Sequence, residues 1–174
     1  MRIILLGIMS VMLFTQSSFA GLLIDPYIGA GTYATTADLA AADDDGNSMS
    51  MVGARVGYSF ILVSAGIDYQ MANVVDGKRT NMSAFVGVDL PILFRFWAEY
   101  TFNSTWENDD LDDRNYEAAF QSGTSIGVGF TGLPLLSLNL EVESMKYKLE
   151  HDSSPDFDLD WAGYVFSVSF PIDL

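Results

Sequence analysis

The sequence contains no cysteine and few basic residues, and each shortage narrows the class of protein. Without cysteine the chain forms no disulfide and has no cysteine for lipid attachment. Lys and Arg number 8 against 23 Asp and Glu, which gives a formal net charge of −15 at pH 7. Because nucleic-acid backbones are also anionic, this charge excludes nucleic acid as a partner.

Long hydrophobic runs are also missing. The apolar stretch Ile3–Phe14 covers 12 residues, whereas a helix that spans a bilayer needs about 20. It follows the basic Arg2 and precedes a polar segment that ends Ser18-Phe19-Ala20, with small residues at the last and third-last positions. We therefore predict that residues 1–20 are a secretory signal peptide cleaved after Ala20, and that residues 21–174 form one domain.

Alternation of apolar and polar residues is the dominant pattern in the rest of the chain. After residue 20 no segment has a convincing period of 3.6 residues, whereas period 2 recurs, as in β-strands. The last segment, 161–174, is the most regular, since every second residue from Tyr164 to Leu174 is apolar or aromatic. The alternation predicts eight strands, at about 22–35, 48–60, 61–71, 81–90, 94–103, 116–130, 135–147 and 161–172.

The predicted connections alternate between short and long. The short ones lie near Phe60-Ile61, at Pro91–Leu93 and at Gly132–Pro134, and the long ones cover about 36–47, 72–80, 104–115 and 148–160. This alternation is typical of outer-membrane barrels, whose short turns face the periplasm and whose long loops face the exterior. Most acidic residues fall in the long connections. We therefore predict an all-β fold, an eight-stranded antiparallel up-and-down transmembrane β-barrel with periplasmic termini and turns and long acidic extracellular loops.

The positions of the charged residues test this prediction. Neighbouring side chains of a strand point to opposite faces, and an Arg or Lys that faces the middle of a bilayer costs about 2–4 kcal/mol. The apolar residues alone define the lipid-facing side. It consists of every second residue, counted from the first, in the spans Val52–Phe60, Val63–Met71, Met82–Leu90, Phe94–Phe102, Phe120–Phe130 and Leu136–Val142. The mid-strand charges then all fall on the inward side: Arg55, Asp68, Asp89, Arg95, Glu99, Glu141 and Glu143. A water-soluble barrel would show the reverse polarity.

Short motifs resemble a known family. "DPYIGAGTY" (25–33) resembles the first strand of small eight-stranded outer-membrane barrels of the OmpA and OmpX type, and "GVGFTGLPLLSLNLEVESMKY" (127–147) is similar to their sixth turn and seventh strand. The terminal alternation resembles the signal that the assembly machinery of these proteins reads, although Leu174 replaces the usual phenylalanine and Pro171 interrupts the strand. The resemblance implies insertion into the outer membrane of a Gram-negative bacterium by the barrel-assembly machinery.

Two interpretations of the inward charges stay open. In the first, Arg55 and Arg95 pair with the inward carboxylates and form a polar plug, because the lumen of an eight-stranded barrel is just wide enough for side chains to fill and unpaired buried ions are costly. In the second, the ion pairs break and re-form, and gate a narrow ion-conducting pore. Acids outnumber these two bases, so some carboxylates are hydrated or protonated, which keeps the second interpretation open.

Three further motifs lie in or near the long connections. Lys146 and Lys148 fall on the outward side near the outer end of the seventh strand, where they either contact lipopolysaccharide phosphates or extend into water. "HDS" (151–153) superficially matches a motif of outer-membrane lipid A deacylases, but no glutamate follows Glu150 to orient the histidine. "DDDGNS" (43–48) lacks the spacing of an EF-hand calcium site. We therefore predict no catalytic residues, no metal site and no cofactor.

These observations predict a monomeric integral outer-membrane protein with a structural or surface-interaction role. Its expected partners are outer-membrane lipid, lipopolysaccharide and, during insertion, the assembly machinery. A narrow ion-conducting pore is the first alternative, and a lipid A-modifying enzyme is the second.

Overall fold

A computed structural model describes residues 21–37, 47–75, 77–91, 93–108, 116–151 and 155–174. The predicted signal segment 1–20 and residues 43–46 of the DDDGNS motif lie outside these ranges. Within the described ranges, no helix is long and apolar enough to cross a membrane. The long strands are β1 (Gly21–Ala37), β2 (Asn47–Phe60), β3 (Val63–Val74), β4 (Gly77–Leu90), β5 (Phe94–Asn108), β6 (Tyr116–Leu133), β7 (Leu136–His151) and β8 (Phe157–Ser169).

The strands pair in chain order and close into a barrel. All neighbours are antiparallel, and β1 pairs with both β2 and β8. Paired positions lead around the wall from Asp25 through Arg55, Asp68, Ser83, Thr101, Gly123, Met145 and Trp161 to Thr35, so the register advances by 10 residues (35 − 25) in one circuit. This stagger goes with the roughly 35–45° strand tilt of closed barrels. The predicted eight-stranded antiparallel barrel is therefore confirmed.

A proline interrupts the seam at which β8 closes onto β1. The chain continues past β8 as Ile172–Asp173, which keeps the same register with β1 across the interruption at Phe170 and Pro171. The N–H of Phe170 donates to the carbonyl of Pro26 at 3.0 Å. Because backbone groups alternate in direction along a strand, an N–H at position 171 would point towards β7. β7 begins only at Leu136, so its paired part does not reach this position. The missing donor therefore costs the ladder little.

The two ends of the barrel differ in their connections. The turn end carries the short connections 61–62, 91–93 and 134–135. The opposite, loop end carries the longer connections 38–46, 109–115 and 152–156, but also the two-residue connection 75–76.

The prediction of a long loop at 72–80 is wrong. Both strands run past their predicted ends, with Ala72 paired to Arg79 and Val74 to Gly77. Pairing continues because the side chains of Ala72 and Arg79 both point inward and are buried. The hydrogen-bonded wall therefore reaches closer to the tip of this hairpin than the sequence pattern indicated.

Side-chain exposure alternates along the strands as predicted. The outward residues Val56, Ile67, Val86, Ile126 and Leu140 are 43–64% exposed. Exposed aromatic residues form a band near the turn end (Tyr58, Phe60, Phe94, Phe96 and Phe170) and another towards the loop end (Tyr69, Tyr100, Phe102 and Tyr164). An apolar belt between two aromatic bands is the outer surface expected of a membrane barrel.

Two β-bulges near the loop end shift the alternation. In β5 the register shifts opposite Met82–Ser83, which leaves Phe102 and Asn103 both exposed. In β6 the register shifts between Phe120 and Ser122, and Phe120 packs inward on Tyr147 with ring centroids 5.8 Å apart. The prediction that Phe120 faces lipid is therefore wrong, because the extra residue of a bulge reverses the facing of the residues beyond it.

We expect Ile126→Arg to lower the free energy of unfolding by about 2–4 kcal/mol, because Ile126 lies on the outward face midway between the aromatic bands. Phe60→Arg, at the turn-end band, serves as the matched control and should cost about 0–1 kcal/mol. Urea unfolding of both variants in lipid vesicles measures the difference. Equal costs at the two positions would contradict the assignment of the lipid-facing surface.

Candidate functional site

The centre of the lumen is organised around Arg55. Its guanidinium donates from Nε to Glu99 at 2.9 Å and from Nη2 to Glu141 at 2.8 Å. The guanidinium carbon also lies 4.5 Å from the ring centroid of Trp97 and 4.9 Å from that of Tyr27. Arg55 is only 2% exposed, so the ion pairs and the ring contacts replace the water that this cation would otherwise bind.

A second cation, Arg95, lies on the turn-end side of this centre. Its Nη2 donates to Asp25 at 2.7 Å, and Nη1 of Arg55 lies 3.8 Å from the same carboxylate. Asp68 accepts a hydrogen bond from the hydroxyl of Tyr27 at 2.9 Å. These contacts join strands from opposite sides of the barrel into one network.

Asp25 was not among the predicted site residues, although it is fully buried. The signal was present in the sequence, because Asp25 shares the inward parity of Gly29 and Gly31 in "DPYIGAGTY". The apolar residues that define the lipid-facing side in the sequence lie in β2 to β7, so the inward position of Asp25 in β1 does not follow from them.

A third cation, Arg79, binds towards the loop end. Its Nη2 donates to Glu143 at 2.6 Å, and its guanidinium carbon lies 3.7 Å from the ring centroid of Trp161. Gln70 bridges the pair, since it accepts from Arg79 at 3.2 Å and donates to Glu143 at 2.9 Å. Sequence reasoning placed Arg79 in the long loop 72–80, and the extension of β4 puts it in the lumen at 1% exposure instead.

The structure brings most of the predicted lumen residues together. Arg55, Asp68, Arg95, Glu99, Glu141 and Glu143 are all buried and belong to the network described above. Asp89 lies opposite Arg95 in the register but is only half-buried, near the turn end. It lies outside the ion pairs of the described chain.

Carboxylates outnumber guanidinium groups in this network. Five buried acids (Asp25, Asp68, Glu99, Glu141 and Glu143) face three buried arginines (Arg55, Arg79 and Arg95), so the formal charge is 3 − 5 = −2. A small polar cavity between the Arg55 and Arg79 clusters is lined by four of these carboxylates. It has room for about one water molecule.

The loop-end half of the lumen is apolar. Tyr33, Met49, Met51, Ala72, Met145, Tyr147, Leu149, Leu159, Trp161 and Val165 form one buried cluster there. The rings of Tyr33 and Trp161 stack with centroids 5.5 Å apart. The predicted polar lumen therefore describes the centre and the turn end, whereas packed apolar side chains fill the barrel above Arg79.

Lys146 and Lys148 lie on the outward face of β7, as their parity predicted. Nζ of Lys146 lies 3.3 Å from Asp160, and Nζ of Lys148 lies 2.7 Å from Asp156. The hydrogen bond from Lys148 lowers the pKa of the Asp156 carboxyl. The pair of Lys146 and Asp160 is more than 60% exposed on both sides, so it exchanges readily with other charged partners. Contact with lipopolysaccharide phosphates stays a prediction.

The structure describes only part of the other two motifs. The ring of His151 lies 4.6 Å from that of Tyr116, and Ser153 of the HDS motif is outside the described residues. In the described part of the chain, no group of three or more His, Cys, Asp or Glu residues is arranged to hold a metal ion.

Solved structures identify the class of fold. No family model and no curated protein matches the sequence. Neisserial surface protein A is 13% identical, with 86% of this chain and 96% of that chain covered and a TM-score of 0.55. The outer membrane protein OprG from Pseudomonas aeruginosa is 12% identical (89% and 97% covered, TM-score 0.45), and Ail from Yersinia pestis is 10% identical (88% and 100% covered, TM-score 0.34).

The match to the neisserial protein shows that this chain has the fold of the small outer-membrane β-barrels. The closer resemblance to the OmpA and OmpX type stays a prediction.

We expect Arg55→Ala to lower the free energy of unfolding by about 3–5 kcal/mol, because it leaves Glu99 and Glu141 buried without their cation. Lys146→Ala, which breaks an exposed pair, is the matched control and should cost about 0–1 kcal/mol. Replacing Arg55 by Met together with Glu99→Gln and Glu141→Gln should recover part of the loss. An Arg55→Ala cost below 1 kcal/mol in urea unfolding would show that the network does not hold the lumen together.

Proposed function

We propose that this protein is an integral barrel of the Gram-negative outer membrane whose closed lumen makes it a rigid support for a surface-exposed end. In this proposal the turn end and both termini lie in the periplasm, the loop end faces the exterior, and the protein acts as a monomer. The observation that carries the proposal is the Arg55 network, in which one guanidinium bridges two carboxylates across the lumen.

The packing above Arg55 supports a closed lumen. A continuous path would require Arg79 to leave both Glu143 and the face of Trp161. It would also require the stacked rings of Tyr33 and Trp161 to separate inside the apolar cluster. Each step exposes a buried ion or a large apolar surface, and both are costly.

The length of the strands supports a surface role. A tilted strand needs about 9–11 residues to span a membrane, whereas β5, β6 and β7 have 15, 18 and 16 residues. The turn-end aromatic band lies close to the turns, so the strand residues that are not needed to span the membrane extend beyond the loop-end band. The barrel wall would thus rise above the bilayer and hold the acidic loop end clear of it.

An ion-conducting pore is the second candidate, and the excess of buried carboxylates favours it. Two negative charges without a matching arginine attract cations or protons into the lumen. We expect no enzymatic activity.

We expect the refolded protein to show no steady single-channel openings in a planar bilayer, because ion pairs and apolar packing fill the lumen. Steady openings that vanish in Arg95→Ala would overturn the closed-lumen proposal and favour the pore. Folding is checked on the same samples by gel migration with and without boiling. An identical migration of boiled and unboiled samples would argue against a stable closed barrel.

We also expect Lys146 and Lys148 to contact lipopolysaccharide phosphates. Adding lipopolysaccharide to the vesicles should raise the thermal midpoint of the wild type, since each lysine near an anionic surface contributes about 1 kcal/mol. The double variant Lys146→Gln/Lys148→Gln should lose most of this gain. Asp158→Asn, which removes a neighbouring acid opposite Lys148, is the control and should keep it. An equal rise in the thermal midpoint of the double variant would contradict the prediction. The two lysines would then be solvated side chains that pair only with acidic residues of this chain.

A further inference from the structure

Among the described residues, the ladder between β5 and β6 stops short of the loop end. β5 and β6 pair only from Phe94–Phe130 to Thr101–Gly123, although both strands continue towards the loop end. Above this point β5 remains paired with β4, and β6 remains paired with β7. In the described ranges, no strand pairs with the facing edges of residues 102–108 and 116–122. We call this opening the β5–β6 slot.

The two bulges determine which backbone groups face the slot. The N–H of Thr131 donates to the carbonyl of Leu93 at 2.8 Å. Along their shared ladder, the backbone N–H and C=O groups of the odd-numbered residues in β5 therefore point towards β6, and those of the odd-numbered residues in β6 point towards β5. Each bulge adds one residue and reverses this alternation beyond it. Above the bulges, the backbone groups that point into the slot therefore belong to even-numbered residues, Ser104 and Trp106 in β5 and Ala118 and Phe120 in β6.

Aromatic side chains close the lumen behind the slot. Trp106 and Phe120 pack on opposite strands against Tyr147, with ring centroids 5.4 and 5.8 Å away. Both are only partly buried, so their outer surfaces form an apolar floor. Nε1 of Trp106 has no hydrogen-bond partner within the described chain. This nitrogen is itself buried, so the floor offers apolar surface alone to anything that enters the slot.

The edges of the slot lack the usual protection against strand addition. Native edge strands are commonly blocked by proline, lysine or inward-pointing charges. The segments FNSTWEN (102–108) and YEAAFQS (116–122) contain no proline and no lysine. Their only charges are Glu107 and Glu117, which are both exposed and stand one on each edge. These carboxylates favour a partner with basic side chains.

We propose that the β5–β6 slot binds an extended basic peptide by strand addition. The main chain of the peptide pairs with the edge of β6 or β5 that no described strand covers. Its apolar side chains contact Trp106 and Phe120, and the alternate basic side chains point outward to Glu107 and Glu117. The inference rests on the proposed function, because the partner reaches the slot only if the loop end faces the exterior.

The test uses a fluorescent peptide, Lys-Val-Lys-Val-Lys-Val-Lys with blocked ends, and the refolded full chain in zwitterionic micelles. Fluorescence anisotropy should show saturable binding. Ala118→Pro should weaken it about fivefold, because it removes one N–H that faces the slot while the β6–β7 ladder uses the neighbouring residues. Ala118→Val keeps the N–H and should bind like the wild type.

The charge of the partner is tested separately. Glu107→Gln/Glu117→Gln should weaken binding and reduce its dependence on salt, and a Glu-Val peptide of the same length should not bind. This pair of variants also replaces Ala118→Pro if gel migration shows that the proline variant does not fold. Tryptophan emission should respond to the peptide in the wild type and lose this response in Trp106→Phe.

Two results would overturn the inference. One is unchanged affinity in both Ala118→Pro and the double glutamate variant. The other is a Trp106 emission change caused by lipopolysaccharide micelles and not by the peptide, which would make the slot a lipid site. Neither result bears on channel conductance, so failure of this inference is distinguishable from failure of the closed-lumen proposal.

Discussion

The ion pairs of Arg55 with Glu99 and Glu141 follow from the demand that one face of every strand meets hydrocarbon. Once the outward face is apolar, each charge in a spanning strand must lie inside a narrow cylinder. There it is removed from water, so it needs a partner from another part of the wall. Arg55 on β2 reaches carboxylates on β5 and β7, and this cross-lumen reach makes a closed interior compatible with a lipid-facing exterior.

The arginines hold these pairs because a guanidinium can bind in its plane and stack on its face. Arg55 lies on Trp97, and Arg79 lies on Trp161, while each donates to glutamate. These large rings fit only where the neighbouring inward position carries no side chain. The side chain of Trp97 occupies the space that a Cβ at position 127 would need, which explains a glycine there. Inward glycines thus make room for the rings that shield the cations.

The sequence predicted those features that period 2 alone determines: the eight strands, their two faces and the inward charges of β2 to β7. The prediction failed where a β-bulge adds one residue to a strand, because the extra residue reverses which side chains point inward. Neither bulge has a sequence marker, so Phe120 was placed on the lipid side although β6 turns it onto Tyr147. Arg79 was placed in a loop because polar residues around it resemble a connection. Its place in β4 depends on Glu143 and Trp161, which are distant in sequence.

The same two bulges connect the errors of prediction to the surface of the molecule. A bulge in each of β5 and β6 lies where their shared ladder ends among the described residues, so the irregularity that reverses side-chain facing coincides with the end of their pairing. Below this point every backbone group must be paired, since lipid offers no alternative partner. Above the loop-end aromatic band, water can satisfy an unpaired edge. In the proposed orientation, the ladder between β5 and β6 would end only where the barrel wall has left the membrane, which is also where a partner could reach it.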